Sequence, residues 1–220
     1  MYSWIIKNTS LIDGSGAKTI TADLAIEQDR IVAVGDTGST SAQNIIDAKG
    51  MILAPGFIDV QNHSDSYWQI FDNPSLQSLI TQGYTTLLLG NSGASLAPLI
   101  SPDSLRSVQK WQPTTGLNVN WRTFGEYKQQ LQQLNFSTNL LSLVGYSTVR
   151  RGLLGDSIQT PNKAELESIL SIIEQSLQEG ASGISLGLSY SHEINVTDVE
   201  IIALAELCAK YDKLLSIALR

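Results

Sequence analysis

The sequence predicts an α/β protein: a small β domain over residues 1–50, then parallel strands with crossover helices over residues 51–220. Three observations carry this. The rhythm changes near residue 51, from short runs bounded by Gly and Asp to apolar runs alternating with helical stripes. Hydrophobic residues make up 42% of the 220-residue chain, which permits a sizeable core and excludes wholesale disorder. Apolar runs that alternate with helices are the strands of a parallel sheet covered on its faces.

In residues 1–50, β-type runs at 3–7, 19–26, 30–34 and 44–46 are separated by turn signals at 13–16, 28–29 and 35–38. Runs spaced by roughly 8–12 residues with Gly and Asp turns predict a small antiparallel sheet with a thin core. Beyond residue 51, strands are expected at 52–60, 85–89, 140–144, 183–188 and 214–219, and helices at 74–82, 124–134, 161–179 and 198–210. In helix 161–179, Leu166, Ile169, Leu170, Ile173 and Leu177 form one apolar stripe. Thr160 is the expected cap, Pro161 suits the first turn and Gly180 the stop. In helix 198–210, Thr197 and Glu200 make a capping-box pattern, and Val196 and Ile201 are spaced as a hydrophobic staple. Its stripe of Ile201, Leu204, Ala205 and Cys208 makes Cys208 a packing residue rather than a nucleophile. The Ser-, Pro- and Thr-rich segment 101–116 is the longest expected loop, of the kind that sits over a site in β/α folds.

Charged residues are 16% of the chain, and 21 acidic against 14 basic side chains give a net charge of −7. That balance argues against nucleic acid and anionic membranes as partners. One cysteine excludes an internal disulfide framework and any multi-cysteine metal site. No apolar run reaches the ~18 residues that span a bilayer, and residues 1–8 lack the apolar stretch of a signal peptide. A cytoplasmic protein is expected.

Functional groups of a parallel barrel gather at the C-terminal ends of its strands. The expected ends here are Asp59-Val60-Gln61-Asn62-His63-Ser64-Asp65, Gly90-Asn91-Ser92-Gly93, Gly145-Tyr146-Ser147-Thr148-Val149-Arg150 and Gly187-Leu188-Ser189-Tyr190-Ser191-His192-Glu193. Four polar clusters at consecutive strand ends mark a candidate site, although strand-to-helix loops also use Gly, Ser and Asn for turns and caps.

Residues 45–60, Ile-Ile-Asp-Ala-Lys-Gly-Met-Ile-Leu-Ala-Pro-Gly-Phe-Ile-Asp-Val, resemble the approach to the first barrel strand in the amidohydrolase superfamily. Segments 11–16 and 29–35 are similar to that superfamily's N-terminal strands and turns, and segments 90–93, 143–150 and 183–190 to its N-acyl-D-amino-acid deacylase (D-aminoacylase) branch. The resemblance implies a (β/α)8 TIM barrel beside a small β domain. It implies a divalent metal, usually zinc, whose bound water attacks an amide carbonyl of a small-molecule substrate. The ligands it implies are a His-x-His pair after the first strand, a Cys in Gly-Asn-Cys-Gly after the second, and histidines on later strands.

This sequence departs from that pattern at most of those positions. Gln61 stands for the first histidine of the pair and His63 keeps the second; Ser92 stands for the cysteine. Tyr146 occupies a position where the family often has histidine, and Ala218 falls about where a further metal-binding histidine stands. Neutral carboxamide and hydroxyl groups are poor zinc ligands, and a catalytic zinc usually takes three protein ligands. Zinc is therefore the family's cofactor, but tight binding by this chain is not expected. His63 is either the surviving ligand position or a histidine hydrogen-bonded at the strand end; with Asp65 it could hold a metal weakly. Asp65 reads equally as a helix-start acceptor, His192 as a loop or capping histidine, and Tyr190 as a candidate substrate contact.

A complete (β/α)8 barrel takes about 250 residues, whereas residues 51–220 supply about five strands. A partial barrel is therefore expected, an N-terminal portion whose open edge invites self-association or a complementing C-terminal chain. Three functional readings follow. The first is an amidohydrolase cleaving the C–N bond of an N-acylated amino acid or similar amide. The second is a catalytically inactive pseudoenzyme or truncated remnant acting as a binding or assembly subunit. The third, a metal-independent hydrolase with Ser92 or Ser189 as nucleophile, lacks a Gly-x-Ser-x-Gly elbow.

Overall fold

Glycine and aspartate turns divide the start of the chain into strands with few inward apolar residues. A computed structural model describes residues 1–109 and 119–219, and places them in two units, 1–56 and 57–219. In the first unit β1 (Tyr2–Leu11) is central. It pairs antiparallel with β2 (Ile20–Glu27), which pairs antiparallel with β3 (Arg30–Gly35). On its other side β1 pairs parallel with β4 (Ala42–Asp47) and with the short β5 (Ile52–Leu53). The expected antiparallel sheet is thus a mixed one. The chain leaves β3 at one edge and re-enters beside β1 at the other, and such a crossover runs parallel. Ile5, Thr9, Ala22, Leu24 and Ala25 are buried, while Ile31, Val34, Ile45 and Ile46 are exposed, so the core is as thin as expected.

A bulge between Ile6 and Thr9 interrupts the β1–β2 register, with Asn8 at φ 58°. Asp23 on β2 holds it: one carboxylate oxygen accepts the Asn8 amide at 2.9 Å, and the other accepts the Thr37 hydroxyl at 2.7 Å.

The second unit is a five-stranded sheet in the order β10-β9-β8-β7-β6, every pair parallel. The strands are β6 (Phe57–Asp59), β7 (Tyr84–Leu89), β8 (Asn139–Gly145), β9 (Gly183–Gly187) and β10 (Leu214–Ala218). The single strand expected at 52–60 is two, β5 and β6, on different sheets. Pro55-Gly56 lies between them, and proline cannot donate to a ladder.

The helices are α1 (Gln69–Asp72), α2 (Gln77–Ile80), α3 (Arg106–Gln109), α4 (Phe124–Gln132), α5 (Tyr146–Leu154), α6 (Lys163–Gln178) and α7 (Asp198–Lys210). Three of them start with reciprocal capping boxes, Thr123 with Glu126, Asn162 with Glu165, and Thr197 with Glu200. The cap of α6 is Asn162, not Thr160, because its carboxamide reaches the Glu165 amide at 3.0 Å. Ile169, Ile173 and Leu177 of α6, and Leu204 and Cys208 of α7, belong to one buried apolar cluster with Leu87, Leu89, Val144, Ile184 and Leu186 of the strands. Cys208 is a packed residue as expected; its thiol lies 3.1 Å from the Leu214 carbonyl oxygen, and burial pushes its pKa up. The expected loop 101–116 contains a 3-10 turn (Pro102–Leu105) capped by Ser101, and α3; residues 110–116 lie outside the described residues. No helix among the described residues is long and apolar enough to cross a membrane.

Candidate active site at the strand ends

Parallel strands bring all their C-terminal ends to one edge of the sheet, so four turns meet there. After β6, Asp59 fixes its own turn by accepting the Gln61 amide at 3.0 Å and the Asn62 side-chain amide at 2.8 Å. After β7, Gly90, Ser92 and Gly93 all take positive φ, at 74°, 57° and 76°. Asn91 joins the two turns, donating to the carbonyls of Leu88 at 2.7 Å and Asn62 at 3.2 Å. Ser185 on β9 braces the second turn: its hydroxyl donates to the Gly90 carbonyl and accepts the Gly93 amide at 3.0 Å. Position 93 must be glycine, because a Cβ there would stand 2.2 Å from a Glu193 carboxylate oxygen and 2.9 Å from the Gly187 nitrogen.

These turns bring Gln61, His63 and Ser92 together. The Gln61 amide nitrogen is 3.4 Å from His63 Nε2 and 3.3 Å from Ser92 Oγ. A carboxamide nitrogen only donates, so a hydrogen bond here calls for the His63 tautomer with its lone pair on Nε2. Asp65 is turned away from this cluster. Its two oxygens accept the amides of Ser66 and Gly90, each at 2.8 Å. Burial pushes its carboxyl up to about 6, the loss of hydration outweighing those two bonds.

The other expected residues lie apart. Tyr146 is fully buried at the start of α5, and its hydroxyl donates to Glu200 of α7. Burial, then that carboxylate, hold the phenol well above its ordinary range. Ala218 offers only a carbonyl, which accepts the Leu188 amide at 3.0 Å. His192 is buried in the turn after β9, its carbonyl accepting from the Arg150 guanidinium at 3.1 Å. Its ring stacks on Tyr190 with centroids 6.3 Å apart. Tyr190 flanks Gly187, where an added Cβ would meet the Tyr190 ring at 2.5 Å and the Ser92 carbonyl oxygen at 2.4 Å.

Sequence reasoning missed Ser185, Glu193 and Arg150 as supports of these turns. Glu193 is fully buried and accepts the Gly187 amide. Arg150 bonds three carbonyls, those of Ser157, Gln159 and His192. Arg150 and Glu193 stand in the expected strand-end clusters, and Glu200 in the expected capping box, but no local pattern names the carbonyls and amides they bond.

The converging set is one imidazole, one carboxamide and one hydroxyl. Among the described residues no group of three His, Cys, Asp or Glu side chains is placed to hold a metal. These residues do not fit a catalytic zinc, which usually takes three imidazole, thiolate or carboxylate ligands.

Residues 44–205 match the model of the amidohydrolase family. The chain belongs to that family. This amidohydrolase chain is 35% identical over 189 residues to N-acyl-D-aspartate deacylase of Alcaligenes xylosoxydans xylosoxydans, covering 85% of this chain and 37% of that protein. It is 31% identical over 207 residues to D-aminoacylase of the same organism, covering 94% of this chain and 41% of that one. Its fold superposes on N-acyl-D-glutamate deacylase of Bordetella bronchiseptica with a TM-score of 0.87 and 30% identity, over 98% of this chain and 44% of the other. That crystal structure holds zinc and a phosphonate inhibitor, a mimic of the reaction tetrahedral intermediate. The amidohydrolase chain therefore spans about two fifths of the length of these relatives. Its second sheet is part of a TIM barrel that follows a small β domain.

Proposed function

We propose that this amidohydrolase chain receives a small N-acylated amino acid or a similar amide at its strand ends, and by itself does not cleave it with a metal-activated water. The substrate class rests on the similarity to deacylases of N-acyl-D-amino acids. The second half rests on one observation: Gln61, His63 and Ser92 satisfy one another where the resemblance implies zinc ligands. Tyr190, beside Gly187 and the Ser92 backbone, is the candidate contact to the substrate.

The alternative is hydrolysis of the C–N bond by zinc-bound water, which the zinc-containing structure of similar fold favours. Among the described residues, β6 and β10 each pair with one strand only. Those open edges support a second partner besides the amide, either another copy of this chain or a complementing C-terminal chain. The cytoplasm is the proposed compartment.

The test is to mix the full chain with N-acetyl-D-glutamate and N-acetyl-D-aspartate, with and without zinc. Binding is followed by ligand-observed NMR and free amine by colorimetry. Binding without amine release is expected. Zinc-dependent amine release would establish the alternative, and absence of binding to both compounds would remove the substrate class.

A further inference from the structure

The Gln61 carboxamide lies between atoms supplied by two different strand ends. His63 Nε2 stands 3.4 Å from its amide nitrogen and Ser92 Oγ 3.3 Å from it. The amide nitrogen carries two hydrogens with partial positive charge, and its lone pair is delocalised into the carbonyl, so it only donates. It is therefore a small electropositive centre between two donor atoms, which is the electrostatic arrangement of a bound cation. Both anchors are fixed independently. The Gln61 backbone is held by Asp59 at 3.0 Å, and the Ser92 turn by Asp65 and Ser185.

We propose that the Gln61 carboxamide takes the place of a metal ion: it occupies His63 and Ser92, and it joins the turn after β6 to the turn after β7 without any cation. This inference rests on the metal-free half of the functional reading and is independent of which amide binds.

Two variants of the full chain test it. Gln61→Leu keeps the size of the side chain and removes its N–H groups, and Gln61 is exposed, so the fold has room to tolerate the change. In EDTA this variant should melt about 2–4 °C lower than the wild type, and cobalt(II) should not recover the loss. Gln61→His with Ser92→Cys supplies two imidazoles and a thiolate at the same point. It should bind cobalt(II) with the thiolate-to-cobalt absorption of a tetrahedral site, and its Tm should rise on binding. The wild type should show neither the absorption nor a Tm change with cobalt or zinc. A wild-type Tm that rises with either metal, a Gln61→Leu variant that melts with the wild type, or a folded double variant without the cobalt spectrum would each overturn the proposal. None of these readouts involves an amide ligand, so failure of the binding test above leaves them intact.

Discussion

The Asp65 carboxylate accepts the Gly90 amide at 2.8 Å, so the chain just beyond β6 is bonded to the first residue of the turn after β7. Its other oxygen takes the Ser66 amide, also at 2.8 Å. Asp65→Ala strips both acceptors from buried residues. Each orphaned N–H costs about 1–3 kcal/mol, so urea denaturation should show a loss of about 3 kcal/mol. A loss under about 1 kcal/mol would mean that neither bond supports the turn.

Tyr146 and Glu200 should be coupled. The Tyr146 hydroxyl donates to one Glu200 oxygen while the other accepts from the Thr197 backbone at 3.0 Å. Tyr146→Phe leaves a buried carboxylate oxygen without its donor, at about 1–3 kcal/mol. In a double-mutant cycle with Glu200→Gln the two changes should cost less together than the sum of their separate effects. Additive effects would show that the pair does not act as a unit.

Gly93→Ala should be among the costlier small substitutions in the chain. A Cβ there overlaps Glu193 and the Gly187 nitrogen, and φ of 76° disfavours any L side chain. Positive-φ strain and overpacking together amount to roughly 3 kcal/mol, readable as a fall in the urea midpoint at unchanged slope. A change within experimental error would mean that the turn relaxes freely.

Asp23 gives the first sheet an acid limit. The Thr37 hydroxyl, then the Asn8 amide, hold its carboxyl below the usual carboxylate range. A depressed folded value contributes stability above the unfolded value, about 3.9, and that stability is lost as pH falls through the folded value. The stability gap between wild type and Asp23→Asn should therefore be full at pH 7 and shrink below about pH 4. A gap that stays constant down to pH 3 would refute this.

Local patterns made parts of this fold legible. The α7 cap was readable because Thr197 and Glu200 stand three residues apart and bond each other. For α6 the Thr160-Pro161 pair points to a start two residues too early, whereas the capping box is formed by Asn162 with Glu165. Helix α5 was not foreseen. Its N-cap is Gly145, which has no side chain to signal a start, so Tyr146–Leu154 read as polar loop. The meeting of Gln61, His63 and Ser92 was legible only through a family resemblance that aligns the two turns. The Tyr146–Glu200 bond was not, because nothing near Tyr146 specifies a partner 54 residues away.

The order β10-β9-β8-β7-β6 is the order of synthesis, reversed. Each new strand pairs with the one made just before it, so no strand has to wait for a distant partner. Within this sheet, each loop closure joins a strand only to its predecessor, across one or two helices. The half-barrel can therefore grow strand by strand as the ribosome releases it. The nascent chain then always presents one fresh edge, and that moving edge is where a chaperone would be needed.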